Sequence, residues 1–248
     1  MNTIEKQNRL SKRTKVAAIA ILFIIPCILF FGVTVLKDRS YMFISTLMLM
    51  IISIPFLIIF EDRKPKAREL ILLATLVAIG VAGRMAFFWL PQFKPVVAIV
   101  IVTGIALGGE SGFLVGAMTG FVSNFYFSQG PFTPWQMFGF GIIGFLAGIL
   151  HQKGLLKSNK KAMAVFGFFS CYFIYGLIMN PVSVLSFYSD FNWNMIKIAY
   201  LRGFPMDTIH AVATVVFLWI IGEPLLEKIE RVKKKYGFYE EEVDYEWI

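Results

Sequence analysis

The chain has 248 residues, 57% of them apolar and 16% charged, with a formal net charge of +8. A water-soluble domain of this composition would expose more apolar surface than it could cover, so the balance excludes a soluble fold and requires a polytopic membrane protein. At roughly 20 residues per span the length suffices for about eight spans with short loops.

Residues 1–15 are polar and carry Lys6, Arg9, Lys12, Arg13 and Lys15, a basic arm expected on the cytoplasmic side. The charge-free runs 16–36 and 41–60 read as a helical hairpin joined by Lys37, Asp38, Arg39 and Ser40. The first run is too long, and too closely followed by the second, for a cleaved signal peptide, so it is expected to be a retained anchor. The segment 61–69, with Arg63, Lys64, Pro65, Lys66 and Arg68, returns the chain to the cytoplasmic face and marks the clearest internal boundary.

Beyond it the apolar runs predict helices at 69–90, 94–109, 111–127, 134–151, 161–181 and 194–223, giving an all-α membrane protein of eight transmembrane helices. The expected division is a basic arm 1–15, a transmembrane hairpin 16–60, a six-helix membrane domain 61–226 and a cytoplasmic tail 227–248. Lys and Arg number five in the arm, four in 61–69, four in 151–161 and five in 228–235. On the opposite side fall Lys37, Arg39, Lys94 and Lys197, with Arg84 and Arg202 inside spans. This asymmetry follows the positive-inside rule, accounts for the net charge without a nucleic acid, and places both termini in the cytoplasm.

Small residues recur every four positions at Gly104 and Gly108, at Gly112, Gly116 and Gly120, and at Gly144 and Gly148. That spacing puts them on one helix face and predicts close helix pairs. Ala74, Ala78 and Ala82 form a similar stripe, suited either to an internal neighbour or to a separate membrane protein. Cys27 and Cys171 lie in apolar runs and are expected to be reduced, buried thiols.

Ionisable groups within spans need a reason, which singles out Arg84, Asp207 and His210. Arg84 can snorkel or line a cavity. Asp207 and His210 share a helix face at i and i+3, where a mutual hydrogen bond, or a pair between Asp207 and Arg84 or Arg202, is favoured over direct ligand contact.

The turns opposite the basic ones differ in kind. Trp89, Trp135 and Trp193 fall at expected outer helix ends, where an aromatic belt is the default. Asn124, Tyr126, Gln129, Gln136, Tyr188, Asn192 and Asn194 cluster at the same level. Aromatic faces with amide donors and acceptors suit a flat, polar-edged organic ligand. An outward cavity lined by Arg84, Asn124, Gln129, Trp135, Gln136 and Trp193 is therefore expected. The sequence has no His-Glu-x-x-His, Cys-x-x-Cys, Gly-x-Ser-x-Gly or P-loop motif, so no enzymatic activity, cofactor or metal is expected, and ATP-driven work would fall to another subunit.

The stretches 67–78 (ARELILLATLVA), Phe93-Lys94-Pro95, 128–137 (SQGPFTPWQM) and 207–214 (DTIHAVAT) resemble the substrate-binding S-components of energy-coupling factor (ECF) vitamin transporters. The resemblance covers about 66–237 and leaves 1–60 as an added hairpin. It implies a six-helix bundle that binds a vitamin or its precursor on the outer side, without cofactor. It also implies association with a membrane coupling protein and two cytoplasmic ATPases. The family's Ala-x-x-x-Ala contact with the coupling protein matches Ala74 and Ala78, and Ala82 extends it. The segment 128–137 is most similar to members assigned to cobalamin or related corrinoids, with Ser128 in place of their Gly and Phe132 in place of their Trp. Riboflavin, pantothenate or a queuosine precursor fits the same aromatic and amide inventory. The second reading is a non-transporting membrane scaffold or assembly protein with a similar bundle, docking through the hairpin and acidic tail.

Overall fold

The computed structural model describes residues 67–185 and 193–236, and before them 18–31 with a few further positions between 15 and 51. Among the described residues all regular structure is helical. The helices are α1 (Ala20–Phe31), α2 (Ala67–Ala86), α3 (Val96–Leu107), α4 (Gly109–Phe127) and α5 (Thr133–Gln152). Helix α6 runs from Lys160–Ser170 through a π-helical stretch, Cys171–Gly176, into Leu177–Leu185. Helix α7 likewise runs from Trp193–Phe217 through π-helical Leu218–Gly222 into Glu223–Tyr236. Four described helices, α2, α5, α6 and α7, are long and apolar enough to cross a membrane. The protein is an all-α membrane protein. Most of the expected span 41–60 lies outside the described residues.

Helix α3 is the centre of the bundle. It is apolar on every side, and Val96 through Ala106 are all buried. Its many β-branched residues would favour a strand in water, but within a bilayer a segment must satisfy its own backbone, which selects the helix. Pro95 precedes it and Gly108, at φ +94°, ends it. Twelve residues at 1.5 Å rise span about 18 Å, well short of the hydrocarbon core. The level above its N-terminus is therefore left to the loop 87–95 and to empty space.

Helices α3, α4 and α5 meet on the glycine stripes. A Cβ at Gly112 would stand 2.6 Å from the carbonyl oxygen of Gly144, and one at Gly116 would stand 2.6 Å from that of Phe140. Backbone thus lies against backbone, the close pairing that the four-residue spacing predicts. On the outer side of this pair, Ile21, Ile25 and Leu29 of α1 join Phe113, Met137 and Phe145 in one buried cluster. Helix α1 is thereby anchored to the α4–α5 face.

At the far end from the loop 87–95, the amphipathic last segment of α7 folds back onto the bundle. Ile229 is buried, and Lys233 Nζ donates to the carbonyl of Ala106 at 2.7 Å, where the end of α3 leaves carbonyls without helical partners. Asn159 caps α6 by accepting from the amide of Ala162 at 2.8 Å. Glu223 accepts from the amide of Lys160 at 3.1 Å and pairs with its ammonium at 3.6 Å. The expected basic continuation beyond 227 is helical as far as Tyr236.

Candidate functional site

The cavity forms where the end of α2, the start of α3, the end of α4, the start of α5, and the facing parts of α6 and α7 converge. Its base is a directed chain of hydrogen bonds across four helices. Arg84 Nη1 donates to Asn124 Oδ1 at 2.7 Å and also to Ser123 Oγ. Asn124 Nδ2 in turn donates to Gln136 Oε1 at 2.9 Å, and Gln136 Nε2 donates to the Tyr175 hydroxyl at 2.9 Å. Each donor fixes the orientation of the next amide, because an Asn or Gln that accepts on oxygen must donate from nitrogen. The Tyr175 hydroxyl is left with its own proton to give, and among the described residues it has no acceptor.

Asn124 is fully buried and makes a further 3.2 Å bond to Thr133 Oγ1, which also receives the Gly130 amide at 3.1 Å. The loop 128–132 is thus clipped to the same polar group that holds Arg84. The guanidinium lies 4.5 Å from the centre of the Phe127 ring, and Lys94 Nζ lies 5.9 Å from it. Both cations share one aromatic ring. Lys94 is held by the carbonyls of Phe87 at 2.9 Å and Leu90 at 2.6 Å. Desolvation, and then the neighbouring Arg84, lowers its pKa below the usual lysine value.

The empty space has two chambers. The smaller, about 210 Å³, is lined by Arg84, Lys94, Phe127, Phe140 and His210 among others, and the larger, about 620 Å³, by Met179, Asn180, Arg202, Met206 and Asp207 among others. Gln92, Gln136 and Tyr175 border both. Tyr175 stacks on Phe140 at 4.9 Å and meets the His210 ring edge-on at 4.8 Å. Asp207 Oδ2 accepts from Asn180 Nδ2 at 2.7 Å. The structure therefore joins Asp207 to Asn180, and not to His210, Arg84 or Arg202.

Of the six residues expected to line the cavity, Arg84 and Gln136 do so. Asn124 stands behind them and holds both. Trp135 packs toward the α1 cluster instead. Successive helical residues point about 100° apart, and here Gln136 takes the direction of the cavity while Trp135 takes that of α1. Gln129 donates to the carbonyl of Phe121 at 2.9 Å, tying its loop back to α4. Trp193 is 72% exposed at the start of α7. Tyr188 and Asn192 lie outside the described residues. Ala74, Ala78 and Ala82 are exposed on the outer face of α2, beside Ile71 and Ile79.

The sequence reading missed Gln92, Tyr175 and Asn180 as lining residues. Gln92 lies at φ +55°, a left-handed position that costs a non-glycine residue energy, in the turn over the cavity. Ser128, at φ +77°, is also left-handed, at the end of α4. Tyr175 and Asn180 sit in a run that is otherwise apolar, and an unexpected polar group in such a run is the signal that could have found them.

The family model described as ECF-type riboflavin transporter, S component, matches residues 64–231. The chain belongs to this S-component family. The matched region takes in α2 through α7 up to Arg231, and so contains every residue of the cavity. An S-component is the substrate-binding part of a membrane transporter, which agrees with the absence of catalytic motifs in the sequence. Helix α1 precedes the matched region. No curated protein and no solved structure matches the chain.

Proposed function

We propose that this S-component binds riboflavin, or a flat, polar-edged ligand of similar size, in the two-chambered cavity and hands it to an ECF-type importer. The observation that carries the reading is the Arg84–Asn124–Gln136–Tyr175 chain, which presents fixed polar groups beside stacked aromatic rings. The chamber volumes lie in the range of small-molecule sites, about 300–1,000 Å³ when taken together. A corrinoid is several times heavier than riboflavin and asks for much more room. Of the residues of 128–137 that suggest cobalamin, Trp135 and Met137 pack with the α1 cluster and Gln129 ties back to α4, while Gln136 lines the cavity, which favours the smaller vitamin. Corrinoids stay in the test panel.

The basic residues concentrated away from the cavity support an extracytoplasmic mouth with cytoplasmic termini. The outward face of Ala74, Ala78 and Ala82 supports contact there with a membrane coupling protein, whose two ATPases would supply the energy. A membrane scaffold would have no use for a polar cavity of this kind. The two readings separate on pull-down: a coupling protein with paired ATPases supports transport, and envelope-assembly proteins alone support scaffolding. Binding itself is tested with purified full-length protein and a vitamin panel, with submicromolar riboflavin affinity as the expected result.

A further inference from the structure

His210 and Asp207 are one turn apart on α7, yet they border different chambers. His210 is only 3% exposed, and its buried Nδ1 has no hydrogen-bond partner among the described residues. A buried polar group without a partner costs about 1–3 kcal/mol, so a histidine held this way by Tyr175 and Phe140 calls for a partner that the protein does not supply. Its chamber also contains Arg84 and Lys94, and among the described residues no carboxylate lines it. Whatever enters must offer acceptors.

The larger chamber differs in carrying a carboxylate, Asp207, alongside Arg202. Asp207 uses one oxygen on Asn180 and makes no ion pair among the described residues. Two glycines make this arrangement possible. A Cβ at Gly176 would stand 2.6 Å from Asp207 Oδ2, and one at Gly203 would stand 2.6 Å from Asn180 Cγ. The bare backbone lets both side chains lie between α6 and α7 at the chamber wall. A carboxylate within a membrane-spanning helix seeks hydrogen-bond donors, and here the ligand can supply them.

Resting on the proposal that the cavity is the vitamin site, we infer that His210 and Asp207 fix the direction in which the ligand lies. His210 contacts an acceptor-rich ring edge in the small chamber, and Asp207 accepts from hydroxyl groups in the large one. The ligand class is a heteroaromatic ring carrying carbonyl and ring-nitrogen acceptors and a hydroxylated side chain.

The test uses quenching of flavin fluorescence by the full-length protein, with riboflavin and with lumiflavin, which has the ring but no polyol chain. His210→Phe is expected to weaken both flavins by about tenfold or more, and His210→Gln, which keeps a donor, to recover part of the loss. Asp207→Asn is expected to weaken riboflavin by about tenfold while moving lumiflavin less than about twofold. Wild-type affinity for riboflavin in both His210→Phe and His210→Gln would overturn the role of His210. Equal weakening of the two flavins by Asp207→Asn would overturn the direction. If His210→Phe does not fold, His210→Gln and the Asp207 comparison still decide. Wild-type protein that binds neither flavin overturns the riboflavin reading itself, and this inference with it.

Discussion

Arg84 at the end of α2 and Asn124 near the end of α4 are joined by a 2.7 Å hydrogen bond across 40 positions of sequence. That bond holds a guanidinium within a membrane bundle and points the remaining amide group of Asn124 at Gln136. It links the stability of the bundle end to the polarity of the cavity.

Replacing Arg84 tests the second half of that link. Arg84→Ala removes a charged donor from the small chamber, and hydrogen bonds to charged groups are worth about 1.5–3 kcal/mol. Riboflavin affinity should fall by about tenfold to a hundredfold. Arg84→Lys, with a point charge in place of a planar fork, should recover only part of it. Titration of flavin fluorescence gives the answer, and unchanged affinity in Arg84→Ala would remove Arg84 from the site.

Asn124 tests the first half. It is fully buried and serves Arg84, Thr133 and Gln136 at once. Asn124→Ala leaves these groups unpaired and should cost about 2–4 kcal/mol of stability, seen as a lowered melting temperature in detergent. Asn124→Asp should keep the acceptor for Arg84 but lose the donor to Gln136. It should therefore retain more stability than the alanine variant and bind ligand less well than wild type.

The glycine seam gives a prediction independent of any ligand. Gly112→Leu drives a side chain into the Gly144 backbone, which has no flexible atoms to give way, and should abolish the folded bundle. Gly154, at φ +73° in the turn after α5, has nothing within 4 Å of a Cβ. Gly154→Ala should cost only the backbone strain of about 1–2 kcal/mol. Size-exclusion profiles and melting temperatures of the two variants should differ in that order.

On the outer face of α2, Ala78→Trp adds bulk at a position that the described residues leave exposed. Riboflavin binding should stay at the wild-type level, while co-purification with a membrane coupling protein should be lost. Unchanged co-purification would return the alanine stripe to the lipid.

The sequence makes some of these features readable and hides others. Helix placement follows from apolar runs too long for anything but membrane helices, and the α4–α5 seam follows from glycines every fourth residue. The two π-helical stretches leave no such trace, since Cys171–Gly176 and Leu218–Gly222 have ordinary apolar composition. Arg84 is legible as a site residue because a cation in a span demands an explanation. Trp135 is misleading because its neighbour Gln136 takes the inward direction, and residue type alone does not give rotation about a helix axis. Tyr175 is hidden by belonging to a run that is mostly apolar. Gln92 depends on a left-handed turn conformation that Pro91 and Phe93 do not announce.

The most direct test of the central claim is equilibrium titration of purified full-length protein with riboflavin, followed by flavin fluorescence. The account predicts saturable quenching with one site per chain and submicromolar affinity, competed by excess unlabelled riboflavin analogue but not by a corrinoid. Absence of saturable binding, together with no vitamin released on denaturing the purified protein, would contradict it.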